Sequence, residues 1–169
     1  MNTIAIKEIT AEHIKEYKEF LTSELPSEQE NFGVTPEEEA NAPFPTKDTE
    51  DSFTLGAFID KELIGVVSFT RDSGNKMKLK HKGRLIRMFI AKNHRGRGIG
   101  KLLVEELLKR VRKIDDIEQV TLTVVVSNAA AKSLYQKFGF VSYGVEEHAI
   151  KWKGKYFDDD LMVLWIKRS

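Results

Sequence analysis

The spacing of apolar residues changes several times along the chain, and each change predicts a new element. Residues 4–9 predict a short strand. A helix is expected from Thr10, its cap, to about Ser23, because one helical face there carries Ile14, Tyr17, Phe20 and Leu21. Residues 26–52 hold all four prolines and predict a long loop, with one helical turn after Thr35-Pro36. Loops of this length in compact domains are usually functional or disordered.

The central part of the chain predicts three strands in succession. Two apolar runs, residues 53–59 and 63–70, predict a hairpin that turns at residues 60–62. Residues 76–82 then connect this hairpin to a strand that ends at Ile90.

The helix that follows this strand is the most strongly periodic element. Its apolar stripe consists of Ile99, Leu102, Leu103, Leu107, Val111 and Ile114. A further strand is expected at residues 120–126, and two final strands are expected at residues 145–152 and 161–166, joined by a turn at Lys153-Gly154. Strands and helices mixed in this way predict an α/β or α+β fold.

Composition and charge agree with this outline and exclude several classes of protein. A chain of 169 residues that is 41% hydrophobic and 31% charged is typical of one globular domain, residues 1–169. The chain has no cysteine, no apolar run of roughly 20 residues that would span a membrane, and no secretory signal at residues 1–7. We therefore expect a cytoplasmic protein with no membrane partner. The net charge of +1 gives no overall attraction to nucleic acid.

The most informative segment is Arg95-Gly96-Arg97-Gly98-Ile99-Gly100-Lys101, which lies between the strand ending at Ile90 and the strongly periodic helix. Three glycines let the backbone turn sharply with its N–H groups pointing inward. The helix adds its unpaired N-terminal donors and the positive end of its dipole. A strand, a glycine-rich turn and a helix in this order predict a site for an anionic cofactor.

Two common phosphate-binding motifs do not fit this segment. A P-loop would need a glycine five residues before the Gly-Lys pair and Ser or Thr after it, where this chain has Arg95 and Leu102. A dinucleotide fingerprint would need a third glycine at Lys101 and an acid at the end of the next strand, which reads Val124-Val125-Val126. Neither a magnesium-nucleotide site nor a dinucleotide site is therefore indicated.

The pattern that remains, Arg-x-x-Gly-x-Gly at residues 95–100, resembles the acetyl-CoA pyrophosphate loop of the GNAT superfamily of N-acetyltransferases. The segment Asn128-x-x-Ala131-x-x-Leu134-Tyr135-x-x-x-Gly139-Phe140 is similar to the second GNAT signature. Ser127 or Asn128 can cap this helix, and Gly139 can end it in a left-handed conformation, with Phe140 packed back on the helix. The resemblance covers roughly residues 53–167.

The resemblance implies a fold, a reaction and a set of site residues. The implied fold is a mixed, mostly antiparallel seven-stranded sheet flanked by about four helices. The implied reaction moves an acetyl group from acetyl-CoA to a primary amine by direct attack, without a metal. The pantetheine arm pairs with the strand edge at Met88, Phe89 and Ile90. The diphosphate binds the backbone N–H groups of Arg95, Gly96, Arg97, Gly98, Ile99 and Gly100, with charge added by Arg95, Arg97 and Lys101.

Two residues of the second signature have implied roles in the reaction. Tyr135 occupies the family position of the acid that protonates the leaving thiolate, and the alternative is a tyrosine that only packs on the buried helix face. Asn128 occupies the position that bonds to the pantetheine arm or to a water, which is compatible with a plain N-cap role.

The general base is where this sequence departs from the family pattern. Many relatives carry a Glu on the strand before the loop, but residues 84–90 contain no carboxylate. His81, Glu50 and Glu147 are weak candidates, and we assign no base.

The sequence alone leaves open the acceptor and whether the protein is an enzyme or a binding module. The tail of the chain, residues 144–162, is similar to relatives that acetylate protein N-termini, polyamines or other small amines, and it does not choose among them. The alternative class is a non-catalytic acyl-CoA-binding or sensing module, for which the missing carboxylate argues. Either a monomer or a homodimer fits.

Two charged clusters have simpler interpretations than a binding site. The basic stretch comprises Lys76, Lys78, Lys80, Lys82, Arg84 and Arg87, and it lacks interleaved aromatic residues, so we expect a charged hairpin and no nucleic-acid partner. The alternative is a surface that binds a polyanion such as DNA or RNA. The run Asp158-Asp159-Asp160 lacks the glycine and distal Glu of a calcium loop, so we expect a solvated strand entry and no metal.

Overall fold

The computed structural model describes residues 3–71 and 76–167, so Met1 and Asn2 of the segment considered for a secretory signal lie outside it. The strands in these ranges are β1 (Ile4–Ile9), β2 (Ser52–Ile59), β3 (Glu62–Arg71), β4 (Lys82–Ile90), β5 (Gln119–Val125), β6 (Val141–Trp152) and β7 (Lys155–Trp165). The α-helices are α1 (Ile14–Glu24), α2 (Pro36–Asn41), α3 (Ile99–Val111) and α4 (Ala129–Lys137). None of these helices has the length and apolar character that a membrane crossing requires.

One sheet contains all seven of these strands, in the order β1-β2-β3-β4-β5-β7-β6. Every neighbouring pair is antiparallel except β4 and β5, which are parallel. The predicted mixed, mostly antiparallel seven-stranded sheet with four helices is therefore confirmed.

The sheet opens between its two parallel strands. β4 and β5 pair only where Lys82, Gly83 and Arg84 lie opposite Gln119, Val120 and Thr121. Beyond Arg84 the two strands share no further pairing, whereas β4 stays paired to β3 as far as Ile90. This divergence leaves one edge of β4 without a strand partner in the middle of the sheet.

Helices cover both faces of the sheet. α3 packs on one face through a buried stripe centred on Leu103 and Leu107, and α4 lies on the same face. α1 packs on the other face, where Tyr17 and Leu21 contact a second apolar cluster that includes Phe89 of β4. Burial of these apolar side chains is the main force that fixes both layers on the sheet.

The helical stripes differ from prediction at two positions. Leu102 is 38% exposed, because the buried face of α3 is centred on Leu103 and Leu107 and Leu102 projects from the opposite side. Ile14 is also 38% exposed, because it is the first residue of α1 and lies one turn before Tyr17, the first buried residue of that helix. The predicted burial of these two side chains is wrong.

The last two strands are longer than predicted. β6 begins at Val141 and not near residue 145, and β7 begins at Lys155 and not near residue 161. Side chains on both faces of the first half of β6 are exposed, so that segment lacks the alternation that predicts a strand.

Candidate active site

Two cavities lie beside the free edge of β4. The larger cavity has a volume of about 730 Å³ and lies between β4, the start of α3 and α4. The smaller cavity has a volume of about 340 Å³ and lies between β4, β5 and the β6–β7 pair. Both are lined by Asn31, Phe32, Met88, Asn128, Ala131 and Tyr135. The cavities therefore adjoin, and Tyr135 lies where they meet.

The glycine-rich segment forms the end wall of the larger cavity. Gly96 and Gly98 have φ angles of +72° and +77°, in the left-handed region that glycine adopts without strain. No heavy atom lies within 4 Å of a Cβ built at either position, so the backbone conformation and not lack of space calls for glycine. Gly98 is the N-cap of α3, so the loop turns directly into the helix.

The backbone N–H groups of this segment are unusual because they have no acceptors. From Gly96 to Lys101, six consecutive N–H groups donate to no backbone or side-chain acceptor among the described residues. The first N–H of the helix that is bonded is that of Leu102, which donates to the Gly98 carbonyl. A row of free N–H groups at the positive end of a helix dipole is suited to bind an anion.

The charged side chains of the segment do not all face the larger cavity. Arg95 lines it and pairs with Glu28 of the long loop, and its Nε donates to the Ile90 carbonyl at 3.1 Å. Lys101 lines the cavity as well. Arg97 is exposed, is absent from the lining, and donates to the His94 ring at 2.8 Å. The structure therefore brings the side chains of Arg95 and Lys101 to the predicted anion site and leaves the side chain of Arg97 outside it.

The predicted pantetheine strand edge lies along the same cavity. Met88, Phe89 and Ile90 all line it, on the part of β4 that β5 does not cover. The Phe89 ring stacks on Phe32, with ring centroids 3.7 Å apart and an angle of 17° between the planes. Phe32 comes from the long loop, which sequence reasoning did not connect to this cavity. Phe32 is one of two aromatic residues in a loop rich in polar residues, and this was the available signal.

The second signature places α4 against both cavities. The Asn128 side chain caps α4 by accepting from the Ala131 N–H at 3.3 Å. Gly139 has a φ angle of +93° just after the helix, and the Phe140 ring packs edge-on against Tyr135 with centroids 5.8 Å apart. The predicted cap, the stop and the packing of Phe140 are all present.

Tyr135 is 5% exposed, and burial raises the pKa of its phenol well above the usual value near 10. Its hydroxyl has no hydrogen-bond partner among the described residues, and it is not sealed from the cavities. The phenol therefore keeps its proton at neutral pH and is free to donate it. Tyr135 therefore both packs on the buried face of α4 and lines the two cavities.

The acidic run on β7 holds α4 in place through one of its members. Asp160 is 1% exposed, pairs with Lys132 of α4 at 2.6 Å and accepts from the Ser142 hydroxyl. Burial opposes ionisation of Asp160, but the bonds from Lys132 and Ser142 prevail and lower the pKa of its carboxyl. The predicted solvated strand entry is therefore wrong for Asp160, because its partner comes from a distant helix.

The smaller cavity carries charge of both signs. Arg84, Arg87 and Asp159 line it, and Asp159 is the one carboxylate among its described lining residues. Arg87 lies at a bulge in β4 with a φ angle of +54°, and its guanidinium pairs with Glu39 of α2, which is 1% exposed. This ion pair fixes the long loop to the strand beside the cavity.

The weak base candidates from the sequence do not reach either cavity. His81 precedes β4, and its carbonyl accepts the N–H groups of Glu118 and Gln119. Glu50 lies in an exposed turn, and Glu147 is exposed on β6. None of these three candidates is among the described residues that line the cavities.

Within the described ranges no group of His, Asp and Glu side chains is arranged to hold a metal ion. The basic stretch ending at Arg87 is partly neutralised, since Lys80 pairs with Asp116 at 3.4 Å and Arg87 pairs with Glu39.

Comparison with known proteins gives matches at the level of family, relatives and fold. Residues 13–140 match the family described as the acetyltransferase (GNAT) family. An N-alpha-acetyltransferase of Sulfurisphaera tokodaii is 31% identical over 107 residues, which are 60% of this chain and 64% of that protein. A spermidine N(1)-acetyltransferase of Vibrio cholerae is 32% identical over 100 residues, 58% of this chain and 54% of that protein. The match thus spans less than two thirds of each curated relative.

Among solved structures, the acetyltransferase of GNAT family from Streptococcus pneumoniae superposes with a TM-score of 0.82 at 28% identity. That superposition covers 98% of this chain and 100% of the other.

Proposed function

This chain belongs to the GNAT acetyltransferase family, and on that premise we propose that it transfers an acetyl group from acetyl-CoA to a primary amine by direct attack. The observation that carries the proposal is the row of free N–H groups from Gly96 to Lys101 at the end of the larger cavity. A diphosphate offers several anionic oxygens close together, which is the ligand that such a row is suited to bind.

The rest of the larger cavity fits the remainder of coenzyme A. Apolar side chains such as Met88 and Phe32 line it, and the free edge of β4 runs along it. The pantetheine arm of coenzyme A carries two amide groups, which can form hydrogen bonds with such an edge. Its volume lies within the roughly 300–1,000 Å³ range of small-molecule sites. When bound, acetyl-CoA supplies the activated acetyl thioester, and the residues of this chain bind, orient and protonate.

Tyr135 is the group that we assign to the leaving sulfur. It lies where the two cavities meet, so a thioester reaching from the larger cavity and an amine in the smaller cavity would both lie beside it. Because its raised pKa holds the proton on oxygen, Tyr135 first donates a hydrogen bond to the sulfur and gives up the proton as the C–S bond breaks. Asn128 keeps the start of α4 in place and offers polar atoms to the pantetheine arm.

The proposal extends to the acceptor and the setting in broad terms. The acceptor is a primary amine of a small molecule, a polyamine or a protein N-terminus, and the names of two relatives, an N-alpha-acetyltransferase and a spermidine N(1)-acetyltransferase, support this range. Residues 1–169 act as one N-acetyltransferase domain, monomeric or homodimeric, in the cytoplasm. The single sheet supports one domain, and the absence of cysteine from the sequence is compatible with a reducing compartment.

The test is release of free thiol from acetyl-CoA over a panel of amines: spermidine, kanamycin, glutamate and trialanine. We expect turnover with at least one of them and a drop of about 100-fold or more in kcat for Tyr135→Phe, which removes one proton donor. Unchanged turnover in Tyr135→Phe at every pH would remove Tyr135 from the mechanism.

A second function is favoured by one observation, the absence of a carboxylate from the part of β4 that lines the cavities. A non-catalytic acyl-CoA-binding module would bind acetyl-CoA in a calorimeter and release no thiol with any amine. The same preparation tested in both assays separates the two functions.

A further inference from the structure

The smaller cavity contains a carboxylate that no role described so far uses. Asp159 of β7 lies opposite Val125 of β5 and Glu146 of β6, on the wall facing the free edge of β4. Tyr135 and Met88 also line this cavity. A carboxylate and the assigned proton donor therefore lie on the walls of one space, next to the cavity that we assign to acetyl-CoA.

Asp159 differs from Asp158 and Asp160 in the hydrogen bonds and ion pairs that its carboxylate forms. The side chain of Asp160 bonds to Lys132 and Ser142, and that of Asp158 accepts the His148 N–H at 2.8 Å. Successive residues of a strand point to opposite faces, so Asp159 projects away from the α4 face that Asp160 occupies. Within the described part of the chain, the Asp159 carboxylate forms no hydrogen bond or ion pair, so it is available to a ligand.

The surroundings of Asp159 favour a carboxyl that accepts protons readily. Burial raises its pKa most, and the negative charges of Glu146 and then Asp158 raise it further. The positive charges that face the same cavity come from Arg84 and Arg87 on β4, and the charge of Arg87 is already matched by Glu39. A carboxylate in such a setting is a better base than an ordinary surface aspartate.

We propose that Asp159 binds the protonated acceptor amine in the smaller cavity and takes its proton, which makes Asp159 the base that β4 lacks. This inference rests on the acetyltransferase function proposed above. Asp159 on β7 would take the place of the β4 carboxylate of many relatives and would reach the acceptor from the other side of the opening between β4 and β5.

The step balances in atoms and protons. The ammonium group gives one proton to the Asp159 carboxylate, and the neutral nitrogen forms a bond to the thioester carbonyl carbon. The C–S bond then breaks, and the sulfur leaves with the Tyr135 proton as a thiol. The nitrogen, which still carries an extra proton, returns that proton to the Tyr135 oxygen. The products are the acetamide, free coenzyme A and a proton that Asp159 releases to solvent.

The test compares pH profiles of kcat/KM for thiol release with spermidine, or with trialanine if spermidine is not turned over. With Asp159 as base, the wild-type profile is level between the pKa of Asp159 and the pKa of the acceptor amine, which is near 10 for spermidine and near 8 for the trialanine N-terminus. Asp159→Asn must use amine that is already neutral, so its kcat/KM rises tenfold per pH unit. With spermidine we expect a loss of about 100-fold or more at pH 7, most of which is regained at pH 9. With trialanine the loss at pH 7 is about tenfold and the rise ends near pH 8, where that amine becomes neutral.

Two further variants separate catalysis from structure. Glu147→Gln is the matched control, since Glu147 is exposed on β6 and lines neither cavity, and its profile should equal that of the wild type. Glu146→Gln removes a negative charge that raises the pKa of Asp159, so the acid limb of its profile should move to lower pH with kcat retained at pH 7. A merely structural Asp159 predicts no such movement.

Each result decides something definite. A loss in Asp159→Asn that is equal at every pH, or a wild-type profile in that variant, overturns the inference and leaves the acetyltransferase function standing. Absence of thiol release by the wild-type protein with every amine overturns the function, and the inference falls with it. If Asp159→Asn no longer binds coenzyme A, an acid limb unmoved in Glu146→Gln overturns the inference by itself.

Discussion

The sharpest structural prediction concerns Gly98→Ala, because the same positive φ angle occurs at a second glycine that lines neither cavity. Gly98 has a φ angle of +77°, and so does Gly154 in the turn between β6 and β7. Neither would bring a new Cβ within 4 Å of another heavy atom. An alanine at either position therefore meets the same cost, about 1–2 kcal/mol for the left-handed conformation, and no steric clash.

The cost should appear as weaker binding of coenzyme A in Gly98→Ala and as lower stability in Gly154→Ala. The N–H groups around Gly98 have no acceptors in the structure, so little holds the free loop, and we expect Gly98→Ala to relax out of the left-handed conformation. Coenzyme A must then restore that conformation on binding, which raises its Kd by about 5–30-fold. The turn at Gly154 is held by pairing of Trp152 with Lys155, so its strain stays in the folded state.

Calorimetric titration with coenzyme A and thermal unfolding of both variants give the comparison. Gly154→Ala should bind coenzyme A as the wild type does and unfold about 2–8 °C lower, the shift that 1–2 kcal/mol gives in a chain of this size. Gly98→Ala should unfold close to the wild type and bind more weakly. If Gly98→Ala binds coenzyme A as tightly as Gly154→Ala, the loop conformation is not what presents the diphosphate site, and the reasoning is refuted.

Three further predictions concern charged side chains near the cavities. Glu28→Gln should lower the Kd for coenzyme A by up to about fivefold in a calorimeter, because Arg95 no longer has to leave an ion pair of about 0.2–1 kcal/mol; a raised Kd would contradict this. Asp160→Asn should lower the free energy of unfolding in urea by about 2–4 kcal/mol at pH 7, since it leaves Lys132 without its partner. Folding lowers the pKa of Asp160, so the contribution of its carboxylate to stability is complete above the ordinary pKa near 3.9 and is lost as the pH falls below that value. The difference in free energy of unfolding between wild type and variant should therefore shrink from pH 6 to pH 3. A constant difference would count against the ion pair. Glu39→Gln should cost about 3–5 kcal/mol in the same urea assay, because two cations lose a buried carboxylate, and a loss below 1 kcal/mol would show that water replaces it.

The elements that could be predicted from the sequence are those with strong local signals. The central helix α3, the hairpin of β2 and β3 and the helix after Asn128 each carry a clear period or a local cap, and all are present. The left-handed glycines at 96 and 98 follow from the same local reasoning, because glycine adopts a positive φ angle without strain in a sharp turn that leads into a helix.

What could not be predicted depends on contacts between distant parts of the chain. Asp159 and Asp160 are neighbours in a run of three carboxylates, yet one lines a cavity and the other is buried against Lys132. Which of them does which is decided by the pairing register of β7, and the run itself does not contain that information. The ion pair that joins Arg87 to Glu39 is likewise invisible in the sequence, because 47 residues lie between its partners.

The most direct test of the account is a crystal structure of the protein with acetyl-CoA. We predict diphosphate oxygens about 3 Å from backbone nitrogens between Gly96 and Lys101, and the thioester sulfur within hydrogen-bonding reach of the Tyr135 hydroxyl. A diphosphate bound elsewhere, or a thioester that does not approach the place where the two cavities meet, would contradict the proposed site and the mechanism built on it.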